Sequence, residues 1–158
     1  MPRLRDAGPS ILVERARRRL TLRVPGRAPR CFAAAVGRNA AADKAVEGDA
    51  ATPLGTFYVC AKNPRSRYTL SVCLSYPNAE DADRGLRDGL IGAAEHAAIH
   101  AAIRERRMPP QTTRLGGEIY IHGGRGPDAT RGCIALDDAA IREVFATVTL
   151  GTPVRIVP

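Results

Sequence analysis

The chain has 158 residues, the size of one compact domain, with 44% hydrophobic and 25% charged residues, a balance that argues against a wholly disordered chain. Aromatic residues make up 4% and Trp is absent, so the core must be built from Val, Leu, Ile and Ala. The net charge is +8, from 24 basic and 16 acidic residues. That suits either an anionic partner or an arginine-rich solvated surface. The densest basic run, Arg15, Arg17, Arg18, Arg19 and Arg23, is interleaved with apolar residues and has no aromatic side chain for base stacking. No nucleic-acid partner is expected.

In chain order, residues 11–14 and 19–24 read as strands, the second with Leu20, Leu22 and Val24 on one face. Pro25-Gly26 marks a turn, and residues 31–36 read as a third strand, giving an N-terminal antiparallel meander. Residues 38–51 form a polar, alanine-rich loop. Strands at 57–61 and 69–76 make a hairpin, with Asn63-Pro64-Arg65-Ser66 breaking the first of them. Residues 81–92 are acidic, contain glycine and read as loop. The Gly- and Pro-free stretch 93–107 predicts a helix, ended by Pro109-Pro110. A short strand is expected at 118–122, a tight glycine loop after it, and apolar character again at 134–136. Asp137-Asp138 opens a helix striped by Ile141, Val144, Phe145 and Val148; Gly151 stops it, and 153–157 is a last strand. The fold class is mainly β with flanking helices (α+β). One domain is expected over 9–158, with a short N-terminal tail at 1–8.

Chemistry concentrates around His122 and Cys133. A histidine leaves a strand into Gly123-Gly124, and a cysteine follows Thr130-Arg131-Gly132. A thiol nucleophile needs a base, and imidazole titrates in the useful range. The intervening loop lets the chain return and bring the two together. The amides around Gly132 and Cys133 are candidate oxyanion donors, and Arg131 would favour thiolate. Cys133 is expected to alkylate before Cys31, Cys60 and Cys73, which are expected to be buried free thiols; a Cys60–Cys73 disulfide is conceivable across the hairpin.

The residues His122-Gly123 and Thr130-Arg131-Gly132-Cys133 resemble the hallmark of the L,D-transpeptidase catalytic domain, the YkuD family. So do Gly48-Asp49-Ala50-Ala51-Thr52-Pro53-Leu54-Gly55, Ser75-Tyr76-Pro77-Asn78 with Asp81, 115–122 and 151–156, which look like a murein-acting branch. The chain departs from the branch at Ala129, where the branch has an aromatic residue, and from many family members, which have Arg or Asn, at Ala135, an alanine it shares with the branch it resembles. The resemblance implies an L,D-transpeptidase-like β-sandwich and acyl transfer at meso-diaminopimelate of peptidoglycan stem peptides through a thioester on Cys133. It makes His122 the base, oriented by the Gly123 carbonyl, with Gly132 as backbone support and Thr130, Arg131 and Tyr76 as substrate contacts. A hydrolase with the same nucleophile and an inactive basic binding module are the alternatives. No cofactor and no metal are expected: His96 and His100 have a metal-compatible i,i+4 spacing, but the sequence offers no third ligand. The family points to the cell envelope or periplasm; the first ten residues carry no apolar signal region, which leaves the cytoplasm open. No stretch reads as a membrane span, and oligomeric state is not legible.

Overall fold

The computed structural model describes residues 8–158; the expected tail at 1–8 lies outside them except for Gly8. The first meander is β1 (Ser10–Glu14), β2 (Arg19–Arg23) and β3 (Arg30–Ala33), joined antiparallel. Ile11 faces Leu22 and Val13 faces Leu20, so the alternation at period two places all four in the core. β4 (Gly55–Ser66) and β5 (Thr69–Leu74) form the long hairpin. Next come β6 (Tyr120–His122), β7 (Ile134–Ala135) and the closing strand β8 (Pro153–Val157).

Among the described residues the strands make one eight-stranded sheet in the order β3-β2-β1-β8-β4-β5-β6-β7. β8 is the central connector: it runs parallel to β1 and antiparallel to β4. The sheet curls back on itself, because Ala35, just past β3, bridges Ala135 of β7, and Gly37 bridges Thr130. The two ends of the sheet therefore meet at the segment that carries Cys133. Inside the curl, Leu20, Phe57, Leu74, Ile121, Ile134 and Ile156 share one core with Ile141 and Val144 of α3 (Asp138–Thr147).

Four expectations change. Residues 81–92 are not all loop: α1 spans Ala79–Arg87. Asn78 caps it by accepting from the Asp81 N–H at 3.0 Å, and the Asp81 carboxylate accepts from the Asn78 N–H at 2.9 Å. This reciprocal box offsets the weak helix propensity of the segment. Gly85, the residue that suggested loop, is where the helix touches Leu115: a Cβ there would lie 2.6 Å from its Cδ2. Second, β4 runs through Asn63-Pro64 instead of breaking there. Its register against β5 slips between Asn63 and Ser66, and proline is tolerated at such an irregularity because no ladder N–H is required. Third, the arginine run is not a free basic patch. Arg15 is buried and donates to the carbonyls of Ala40, Ala42 and Thr52 at 2.7–2.8 Å, while Arg17 and Arg19 pair with Glu14. Fourth, Cys31, Cys60 and Cys73 are free as expected but not all buried: Cys31 is exposed, Cys60 is half-buried and only Cys73 is buried.

The remaining helix, α2 (Ala93–Arg104), ends three residues earlier than the composition suggests. It packs on α1 over a second small core of Ala82, Ile91, Ile99 and Leu115. Among the described residues no helix is long and apolar enough to cross a membrane.

Candidate active site

β6 and β7 run parallel, with Ile121 opposite Ile134 and His122 opposite Ala135. Side chains alternate along each strand, so His122 and Tyr120 share a face with Ala135 and, one step before β7, Cys133. All four line one cleft of about 730 Å³. Cys133 and His122 are thus diagonal neighbours across a parallel pair.

Glycine at position 123 is a steric requirement: a Cβ would lie 2.6 Å from the Tyr68 carbonyl and 2.8 Å from Asp138 Oδ1. The close approach lets the Gly123 N–H donate to the Tyr68 carbonyl at 2.9 Å. It also turns the Gly123 carbonyl back to His122 Nδ1 at 2.6 Å. A carbonyl only accepts, so Nδ1 carries the proton and Nε2 is left with its lone pair, the tautomer a general base needs. The Tyr68 ring stacks on the imidazole with centroids 4.4 Å apart. Asp138 at the start of α3 accepts from the Gly124 N–H at 2.9 Å and the Thr69 hydroxyl at 2.8 Å, anchoring the loop behind the histidine.

The cysteine loop is held from several sides. The Thr130 hydroxyl donates to the Cys133 carbonyl at 2.6 Å and accepts from the Gly132 N–H at 3.0 Å. Gly132 has φ +137°, and a Cβ would lie 2.9 Å from the Ala51 carbonyl oxygen. From the 38–54 loop, Thr52 donates its hydroxyl to the Gly132 carbonyl at 2.8 Å and accepts from the Gly37 N–H at 2.8 Å. Asp49 shapes that loop by accepting from the N–H groups of Ala45, Val46 and Ala51 and from Lys44 Nζ. Lys44 is buried and structural. Thr52→Val, near-isosteric, strands a buried N–H and a buried carbonyl. It is expected to cost about 1–3 kcal/mol of stability and to lower turnover, read by thermal unfolding beside an activity assay.

The thiol itself donates to the Glu118 carbonyl at 3.4 Å and accepts from the Tyr120 N–H at 3.5 Å. Glu118 has φ +56°, a left-handed conformation that costs a non-glycine residue about 1–3 kcal/mol. Gln111 pins it there: its Oε1 accepts from the Glu118 N–H at 2.7 Å, and its Nε2 donates to the Tyr76 carbonyl at 2.9 Å. Burial pushes the Cys133 thiol up and pushes the His122 imidazole down. Both shifts oppose a resting thiolate–imidazolium pair. No Cys133–His122 hydrogen bond forms among the described residues.

The expected site residues separate accordingly. His122, Thr130, Arg131 and Cys133 come together in the cleft. Thr130's hydroxyl is committed to its own loop, and Arg131 is exposed. The Gly132 amide is taken by Thr130; the Cys133 amide has no acceptor among the described residues and remains the open donor at the thiol. Tyr76 lies elsewhere: it is fully buried, with its hydroxyl donating to the Leu115 carbonyl at 2.6 Å. Arg38, Arg67, Tyr68 and Glu118 also line the cleft, although the sequence reading singled out none of them. Tyr68 had a signal, an aromatic residue standing alone in a polar turn. Thr52 had one in its eight-residue motif. Gln111 had none. Ala129 and Ala135, the two departures from the family pattern, both border the cleft, where short side chains widen it.

The curled sheet with its Cys–His cleft agrees with the sequence comparison: the L,D-transpeptidase catalytic domain (YkuD) pattern matches residues 8–156. The chain belongs to that family. Among solved structures, the helical cell shape determining protein Pgp2 from Campylobacter jejuni is 22% identical, with a TM-score of 0.62, over 94% of this chain and 47% of that one. An L,D-transpeptidase from Mycobacterium smegmatis is 15% identical, with a TM-score of 0.57, over 96% of this chain and 59% of that one. L,D-transpeptidase 1 of Mycobacterium tuberculosis is 15% identical, with a TM-score of 0.53, over 96% and 62%. At these identities the likeness is one of fold, and the chain spans about half the length of Pgp2. No curated protein sequence matches it.

Proposed function

We propose that the chain is a cysteine L,D-transpeptidase that transfers an acyl group at meso-diaminopimelate of peptidoglycan stem peptides. The observation that carries this reading is the parallel β6–β7 register, which puts His122 and Cys133 on one face of one cleft. Substrate entry moves the thiol off the Glu118 carbonyl. His122 Nε2 takes the thiol proton as sulfur attacks the scissile carbonyl carbon. The oxyanion forms beside the Cys133 N–H. Collapse breaks the carbon–nitrogen bond, His122 returns its proton to the leaving amine, and a thioester remains. An acceptor amine then attacks the thioester, His122 takes that amine's proton, collapse breaks the carbon–sulfur bond, and His122 gives the proton to the departing sulfur, restoring thiol and base. Arg38, Arg67 and Arg131 give the cleft the charge that suits carboxylates of a stem peptide; Glu118 and Asp128 suit an amine. Action on that polymer would put the chain at the cell envelope.

The test is incubation with a disaccharide tetrapeptide followed by mass analysis. A 3→3 cross-linked product is expected. A shortened peptide alone would make the chain a hydrolase that gives the thioester to water. The base must be neutral, and burial holds His122 below its ordinary value of about 6.5. Activity is lost only as pH falls through the lowered imidazole pKa, so the acid limb of kcat/KM should lie below about 6.5. A limb at or above that value would contradict the buried, neutral imidazole.

A further inference from the structure

Two of the chain's three histidines lie outside the cleft. His96 and His100 stand one turn apart on α2, and Asp83 of α1 supplies the third group that the sequence alone did not show. Asp83 Oδ1 lies 2.7 Å from His96 Nε2 and 2.8 Å from His100 Nε2. One donor atom from each residue falls within 4.8 Å of the others. The imidazoles are half-buried and the carboxylate is exposed, which leaves room for water on the open side.

Two readings of this cluster compete. As a plain surface ion pair, one carboxylate oxygen would serve two imidazoles whose ring centroids are 4.4 Å apart; charging both rings would set two cations side by side. As a cation site, each ring carries its proton on Nδ1 and presents the Nε2 lone pair, so a single divalent ion satisfies both nitrogens and the carboxylate. Donors around tetrahedral zinc stand about 3.3 Å apart, so the two Asp83–histidine separations need to open by roughly 0.5 Å, within reach of side-chain rotation. Imidazole and carboxylate together suit a borderline ion, not calcium or magnesium.

We propose that Asp83, His96 and His100 form a surface site for a divalent first-row transition cation of the zinc class, which staples α1 to α2. The two helices share only a small core of their own, so a cross-link between them has leverage on local stability. The site takes no part in the chemistry at Cys133.

The experiment is calorimetric titration of the whole reduced chain with zinc chloride, paired with cobalt(II) absorption. One saturable equivalent is expected, with cobalt d–d bands and no thiolate charge-transfer band, and with a thermal midpoint raised by zinc. His96→Gln and His100→Gln each remove a ligand and should weaken binding by more than the 10–100-fold typical of lost outer-shell partners. Asp83→Asn should weaken it at least about tenfold. All three positions are at least partly open to solvent, and circular dichroism checks that each variant folds. Absence of saturable zinc binding would overturn the site. So would wild-type affinity in His100→Gln, or a thiolate band assigning the ion to cysteine.

Discussion

Replacing Cys133 by Ala is expected to lower turnover of a stem-peptide substrate by at least about 10⁴-fold, the scale on which a covalent nucleophile is lost. The fold should survive. The thiol contributes two long sulfur hydrogen bonds, to the Glu118 carbonyl and from the Tyr120 N–H, and its loss should cost about 1 kcal/mol. That is a shift of about 2–4 °C in Tm for a chain of this size. The loop geometry does not depend on the sulfur, because Thr130 and Thr52 hold the backbone on both sides of it. Turnover at the wild-type rate in this variant would remove Cys133 from the reaction.

The second large effect belongs to His122. His122→Gln can still donate toward the Gly123 carbonyl but cannot act as a base near neutral pH. The rate of Cys133 alkylation at neutral pH should fall by about 10²–10⁴-fold. The gap should close as pH rises, because hydroxide then makes the thiolate that the imidazole otherwise makes. Burial strengthens this expectation: the thiol lies above its ordinary value in the resting site, so little thiolate exists without a base. Arg131→Ala should matter less, since Arg131 is exposed and a guanidinium releases no proton at these pH values. Because Cys31 is exposed, the earlier expectation that Cys133 always alkylates first no longer rests on burial of the others. The rates must be read by peptide mapping or in a Cys31→Ser background. A His122→Gln profile that overlays the wild type would contradict the base assignment.

Much of this architecture is legible in the sequence where local periodicity and tertiary burial agree. β1, β2 and β8 alternate at period two, and Ile11, Val13, Leu20, Leu22, Val154 and Ile156 do face one core. The α3 stripe of Ile141, Val144 and Val148 is equally plain. The family match was legible because short motifs with steric requirements carry it: Gly123 and Gly132 each sit where a Cβ would strike backbone. What was hidden is long-range. Nothing local shows that Thr52 crosses to Gly132, that Gln111 pins Glu118, or that Asp83 meets His96 and His100. α1 was hidden because Gly85 lowers its propensity for the sake of a tertiary contact with Leu115. Tyr76 misled in the opposite way: an aromatic residue in a shared motif suggested substrate, yet its ring is a core element with its hydroxyl satisfied internally.

The thioester itself offers the most direct test of the central claim. The chain is mixed with a disaccharide tetrapeptide at saturating concentration, quenched in acid within a turnover, and digested for peptide mass mapping. The mechanism predicts an acyl adduct on the peptide containing Cys133, formed before product, absent in Cys133→Ala and discharged by an added acceptor amine. Product formation with no adduct on Cys133, or with the adduct on Cys31, Cys60 or Cys73, would contradict it.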